Sequence, residues 1–364
     1  MEMLRISELD GMRCFAILLV IACHYRVAGA NTMAFGWIGV DLFFVLSGFL
    51  ITNSLLALRT HPRPYRTFYW RRTLRIFPAY YLVMLILMGI QGFQSSHLAG
   101  LTFTVSVLHK WGIPALCSPR LLVGNPSAPT IGDSFTILWS LSVEELFYIF
   151  WAPAVLRLSN CRLLQIGIAL LIACPILRLL THDAVFSEYY LFPCRLDTLT
   201  MGSLLALAVK YRKLSSTNLK LIGIASITAF AVLTIMAGFP AYEVRTSLIF
   251  SVLGYTFLGL TFMAAVGLGV QHAGHSMLSW LRFGPFIYIG QVSYMMYLIH
   301  RAILLGAYRL FGSINVLVTA LATLVTIVIS VISWIYFEKP LQRLRRKATG
   351  PALITTTQHE YQKL

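Results

Sequence analysis

Arg13 and His24 stand eleven residues apart in the first long apolar run of the chain. Eleven residues are close to three α-helical turns, so the two side chains share a face and lie roughly 16 Å apart along the axis. A guanidinium holds anions, and an imidazole takes a proton or attacks a carbonyl. Inside a membrane both are costly, so they face a cavity or a partner rather than lipid. A single intramembrane histidine also serves as hydrogen-bonded glue between helices. The residues expected beside His24 lift it above that reading.

Depth arithmetic supplies them. If the first helix runs outward and ends near residue 29, His24 lies about 8 Å below the outer boundary. Asp41, on a helix entering from outside near residue 36, falls at the same depth. Glu144, on a span entering near 138, sits about 9 Å in, and His300 about 15 Å in. One imidazole and two carboxylates from three helices then share a layer. That layer suits acid–base chemistry, with His24 as general base and a carboxylate orienting it. Arg26, Arg178, Arg195, Arg301 and Arg309 fall toward outer helix ends. There they either snorkel to headgroups or form a vestibule for a polar or anionic acceptor.

Arg71, Arg72 and Arg75 offer different chemistry. Arg72 and Arg75 are three apart, hence on one face at the start of a helix. Guanidinium forks fit phosphate and pyrophosphate oxygens. The bland reading is charge anchoring at the membrane edge, which suffices for Arg59, Arg63 and Arg66.

Composition dictates the elements that carry these residues. The chain has 364 residues, 58% apolar and 12% charged, too few charges for a soluble surface. Apolar runs of about 17 to 25 residues read as transmembrane helices, and none alternates with the period of two that a β-barrel needs. Ten spans are expected, at about 12–29, 36–57, 76–92, 138–157, 163–181, 193–210, 219–238, 246–270, 286–310 and 315–337. The segment 97–111 is short and carries His97, His109 and Lys110, so it reads as re-entrant or interfacial. The net charge of +16 invites a nucleic-acid reading, but its distribution opposes that. With the N-terminus inside, twenty basic residues fall in inner segments against three, Lys110, Arg120 and Arg245, in outer loops. This is the positive-inside bias, and it places both termini in the cytoplasm. The six cysteines form no metal-binding spacing, although Cys117 and Cys194 fall on the same outer side.

The motifs resemble those of a known family. Gly39-Val-Asp41-Leu-Phe-Phe-Val-Leu-Ser47-Gly48 is similar to its second-helix motif, and Arg13 with His24 resembles its Arg-x10-His pair. Arg72-Thr-Leu-Arg75 resembles its Arg-x-x-Arg motif. Trp139-Ser140-Leu-Ser142-Val-Glu144 is similar to its Trp-Ser-Leu-x-x-Glu block. Ser293-Tyr294-Met-Met-Tyr297-Leu-Ile-His300 and Phe337-Glu338-Lys-Pro340 resemble its closing motifs. The family is the bacterial membrane-bound acyltransferase family 3. Any one motif is weak; their order from residue 9 to 340 makes the resemblance specific.

The resemblance implies transfer of an acyl group, most often acetyl, from acyl-CoA to a hydroxyl of a saccharide or glycan. It implies His24 as the catalytic residue, supported by Glu144 and Asp41, with Arg13, Arg71, Arg72 and Arg75 serving the donor. Asp10, Ser140, Tyr297 and His300 are expected at the substrate. Whether transfer is direct or passes through an acyl-histidine stays open. The expected protein is an all-α, polytopic helical bundle in the bacterial inner membrane. One domain is expected over 1–347, with a disordered cytoplasmic tail at 348–364. Acyl-CoA is its donor substrate and membrane lipids are its partners, with no tightly bound cofactor, no metal and no nucleic acid. A rival reading is a secondary transporter or flippase, which also buries ionisable groups.

Overall fold

Three of the helices start on side-chain caps. Ser159, Ser215 and Asn315 accept from the backbone N–H three residues on, at 3.4, 3.1 and 2.9 Å, which satisfies a donor that a helix start otherwise leaves bare. Pro64 and Pro285 open two more from their first turns. Gly312, at φ 68°, ends the second of these in the left-handed conformation that glycine adopts without steric cost.

The computed structural model describes residues 6–25, 35–93, 95–108, 137–183, 187–211, 213–238 and 244–349. Among these there is no strand. The helices are α1 Ser7–Tyr25, α2 Ile38–Leu58, α3 Pro64–Gln91, α4 Ser95–Leu101, α5 Val105–Leu108, α6 Leu138–Arg157 and α7 Asn160–Thr181. They continue with α8 Leu196–Lys210, α9 Ser216–Met236, α10 Tyr255–Gln271, α11 Gly284–Phe311, α12 Val316–Ser333 and α13 Lys339–Thr349. Single π turns at Phe250–Gly254 and Trp334–Glu338 lead into α10 and α13.

Seven helical stretches are long and apolar enough to cross a membrane, and the protein is a multi-pass membrane protein. Three more helices, α1, α6 and α11, have 19, 20 and 28 residues but are too polar to count on composition. With them, the ten expected spans each find a helix. Those three carry His24, Glu144 and His300. Their polarity is offset by position, since each packs inside the bundle rather than against lipid.

The layering follows from the side chains. α2 and α8 form the centre, with 78% and 72% of their apolar stretch buried. They cross where Gly48 faces Leu199 and Gly202 faces Val45. A methyl at either glycine would overlap the opposing carbonyl oxygen, so only glycine permits this approach. α1 lies between α2 and α11 and touches α11 where Gly290 meets the Asp10 backbone. From there α1 and α11 run side by side. α7, α9 and α12 lie outermost and present rows such as Ile168, Ile172 and Ile176, or Leu317, Leu321 and Leu324, outward. Apolar rows of this kind suit lipid.

α4 and α5, with seven and four residues, are too short to span a bilayer, as expected for 97–111; His109 and Lys110 lie outside the described residues. α4 packs on α3, where Tyr80 and Tyr81 donate to the carbonyls of Gly100 (2.6 Å) and Leu101 (3.1 Å), and α5 packs on α6, where the Ser106 and Ser142 hydroxyls meet at 2.8 Å. Of the expected tail, 348–349 end α13, and 350–364 lie outside the described residues.

Candidate active site

Two polar clusters and one pocket bear on chemistry. The pocket is a cavity of about 110 Å³ between α1, α2, α3, α6 and α11. Arg13, Ser47, Arg72, Arg75, Ser140, Glu144, Gln291, Tyr294 and Tyr297 line it.

Arg72 is the pocket's organiser. Its guanidinium stacks on Tyr148, 3.8 Å from the ring centroid, and lies 3.9 Å from both Glu144 Oε2 and Glu145 Oε1. Tyr148 donates to Glu144 at 2.7 Å, and the Ser47 hydroxyl bonds to Tyr148 in turn. A separation of 3.9 Å is longer than a charge-assisted hydrogen bond of about 2.7–2.9 Å. Arg72 Nε and Glu145 Oε1 have no hydrogen-bond partner among the described residues. These groups are held close without being saturated. Arg13 stands one turn from Asp10, at 3.9 Å, and also faces the pocket. Arg71 does not line it.

The second feature begins at the pocket wall. The hydroxyls of Ser140 and Tyr297 meet at 2.5 Å, and Tyr297 donates to the Ile137 carbonyl at 2.7 Å. The Tyr297 ring is 5.8 Å from that of His300. His300 Nε2 lies 3.1 Å from His24 Nδ1. His300 is fully buried, with Nδ1 2.8 Å from the Tyr297 carbonyl and 3.2 Å from that of Met296.

The third feature is sealed. Asp41 is ion-paired with Arg195, and both are wholly buried. Arg178 binds Asp197 at 2.9 Å, the Cys194 carbonyl at 2.7 Å and Thr256 at 2.6 Å. Tyr189 and Tyr255 flank Arg195, with ring centroids 5.0 and 4.4 Å from its Cζ.

The structure corrects several expectations. His24, Asp41 and Glu144 do not form one cluster. His24 pairs with His300, Asp41 with Arg195, and Glu144 with Tyr148 beside Arg72. α3 starts at residue 64 rather than 76. Arg72 thus sits about 12 Å along a helix, not in an edge loop, and reaches Glu144 inside the bundle. Asp41 is occupied by a guanidinium, so it cannot orient His24. His300, expected at the substrate, has both ring nitrogens engaged by protein. Asp10 is buried beside Arg13, with its backbone pressed on Gly290, and is not among the pocket's lining residues. Arg178 and Arg195 neither snorkel nor line a vestibule. Their signal was in the sequence, since Asp41 and Asp197 carry matching charge at the same helix ends. Arg309 is exposed near the end of α11, where a snorkelling side chain belongs. Arg26 and Cys117 lie outside the described residues. Tyr148 and Ser47 were missed as neighbours of Glu144, although Tyr148 stands four residues after it on one helix face.

The arrangement of an arginine-lined pocket and a histidine pair can be set against known proteins. A family model described as an acyltransferase domain matches residues 6–335. The chain belongs to this family. Among proteins similar to this acyltransferase-family chain is OatA, the peptidoglycan O-acetyltransferase of Listeria monocytogenes serovar 1/2a (strain ATCC BAA-679 / EGD-e). It is 28% identical over 365 residues, covering 93% of this chain and 56% of that protein. The O-acetyltransferase OatA of Staphylococcus aureus (strain NCTC 8325 / PS 47) is 28% identical over 369 residues, covering 93% and 58%. YrhL of Bacillus subtilis (strain 168) is 29% identical over 367 residues, covering 93% and 55%. The chain spans about half the length of these curated relatives. No solved structure matches it.

Proposed function

We propose that this chain transfers an acyl group, acetyl foremost, from an acyl-CoA to a hydroxyl of a saccharide or glycan at the bacterial inner membrane. The observation that carries this reading is the pocket lined by Arg13, Arg72 and Arg75, whose Tyr297 wall backs onto the His24–His300 pair. The relatives named as O-acetyltransferases supply the reaction class, and peptidoglycan in two of those names supplies the acceptor class. Positive-inside charge puts the arginine end in the cytoplasm. The donor's phosphates then dock from that side, and its thioester threads toward Glu144 and Tyr297. The acceptor hydroxyl enters from the opposite end, near His24.

In direct transfer, the hydroxyl oxygen attacks the thioester carbon as His24 takes its proton. The C–S bond breaks, and the proton passes on to the coenzyme thiolate. In the two-step route, His24 attacks first, coenzyme A leaves, and the hydroxyl then resolves the acyl-imidazole. Both end in an ester and a free thiol.

The test is purified protein in nanodiscs with radiolabelled acetyl-CoA and glycan oligomers. Label should move to the glycan, and His24→Ala should abolish transfer while the protein unfolds at the same temperature as the parent. Solute counterflow with no effect of acetyl-CoA would instead support the transporter reading.

A further inference from the structure

The geometry points to His300 as a positioning residue that fixes the tautomer of His24 and leaves His24 Nε2 as the reactive atom. This rests on the acyltransfer reading for its consequence, but the tautomer itself follows from hydrogen-bond chemistry alone.

His300 Nδ1 faces two backbone carbonyls, at 2.8 and 3.2 Å. Carbonyl oxygens only accept, so Nδ1 carries the ring hydrogen. A neutral imidazole has one such hydrogen, so His300 Nε2 presents a lone pair. That lone pair lies 3.1 Å from His24 Nδ1. The contact is a hydrogen bond only if His24 Nδ1 donates. Neutral His24 then has no hydrogen on Nε2, and that atom is free to take a proton or attack a carbonyl. Two links, carbonyl to His300 and His300 to His24, transmit the choice.

In a serine-protease triad a carboxylate performs this service, orienting the histidine and stabilising its charged form. Here an imidazole stands in its place. Besides His300, the groups that act on His24 are the Val20 backbone carbonyl, one turn back on α1, and the cationic Arg301, from α11, and Arg245, from the segment preceding α10. A neutral orienting group adds no ion pair to that layer. His300 is held by more than its own ring. The Tyr25 hydroxyl, next in sequence to His24, donates to the His300 carbonyl at 2.9 Å and lies 2.9 Å from the Thr326 hydroxyl on α12. Three helices thus set the distance between the two rings.

The first experiment reads the tautomer without activity. Nitrogen-15 NMR of the full chain in micelles, with labelled histidine and His24→Gln for assignment, should show His24 protonated on Nδ1 and bare on Nε2. A hydrogen on Nε2 in the resting protein overturns the proposal, whether or not transfer is detected. The second experiment reads the consequence. His300→Phe keeps a ring but no acceptor, and turnover should fall on the order of 10²–10⁴-fold, the usual contribution of a positioned general base. KM for donor and acceptor should stay within threefold. His300→Gln supplies a carbonyl to His24 Nδ1 and should recover at least tenfold over His300→Phe. Equal losses in both variants with a raised acceptor KM would make His300 a substrate contact and overturn the inference. Unchanged turnover in His300→Phe would overturn it as well.

Discussion

Two groups of buried charge sit within one bundle and differ in kind. Around Asp41, Arg195, Arg178 and Asp197 the ion pairs are close and wholly buried; backbone carbonyls brace Arg178, while Arg195 Nε and Nη1 and Asp41 Oδ2 have no hydrogen-bond partner among the described residues. Around Arg72, Glu144 and Glu145 the charges stand 3.9 Å apart, and the Arg72 and Glu144 side chains remain 16% and 18% exposed to a cavity. The first arrangement leaves no room for a guest. The second leaves donors and acceptors partly unspent beside an opening. On the acyltransfer reading, close pairing serves the scaffold, and loose pairing next to a cavity serves a substrate.

Breaking the sealed group should cost the most. Arg195→Leu strands the Asp41 carboxylate in the interior and should remove about 3–5 kcal/mol of stability, seen as a lower unfolding temperature in detergent. A variant that stays fully stable yet loses all transfer would move Asp41 into the chemistry. Glu144→Gln should act on the loose group alone. We expect turnover to drop about 100-fold, or ~2.7 kcal/mol, with donor binding changed less than threefold and unfolding unaltered. Equal loss of turnover and binding would make Glu144 structural. Arg72→Ala with Arg75→Ala should weaken acyl-CoA binding about tenfold, or ~1.4 kcal/mol, as read by calorimetry. Unchanged affinity would leave the phosphates to Arg13 and other groups. The smallest effect belongs outside the hydrogen bonds of either cluster. Thr52→Val removes the acceptor 2.8 Å from Trp151 Nε1 and should cost about 1 kcal/mol of stability with no change in kinetics.

Helix existence was legible because apolar runs of spanning length have few alternatives in a membrane. The expected spans at 138–157, 163–181 and 219–238 lie within three residues of α6, α7 and α9. The start of α3 was not legible, because Arg66, Arg71, Arg72 and Arg75 disguise a helical stretch as a basic loop. Of the residues singled out in the sequence, Arg13, Arg72, Arg75, Ser140, Glu144 and Tyr297 line the pocket, and His24, Asp41, Arg71, Asp10 and His300 do not. Pairing was not legible. Depth along an assumed straight helix says nothing about which face a side chain takes. It also misses the lateral register that the Gly290–Asp10 contact sets between α1 and α11. His24 therefore met His300, which the sequence places far away and at a different depth.

The glycine crossings carry a consequence for how anything traverses this protein. With backbone pressed on backbone at Gly48–Leu199 and at Gly290–Asp10, α1, α2, α8 and α11 are locked into a block with no clearance for sliding. On the acyltransfer reading, the freight is small and the machinery holds still: two carbons ride a flexible arm through a stationary conduit.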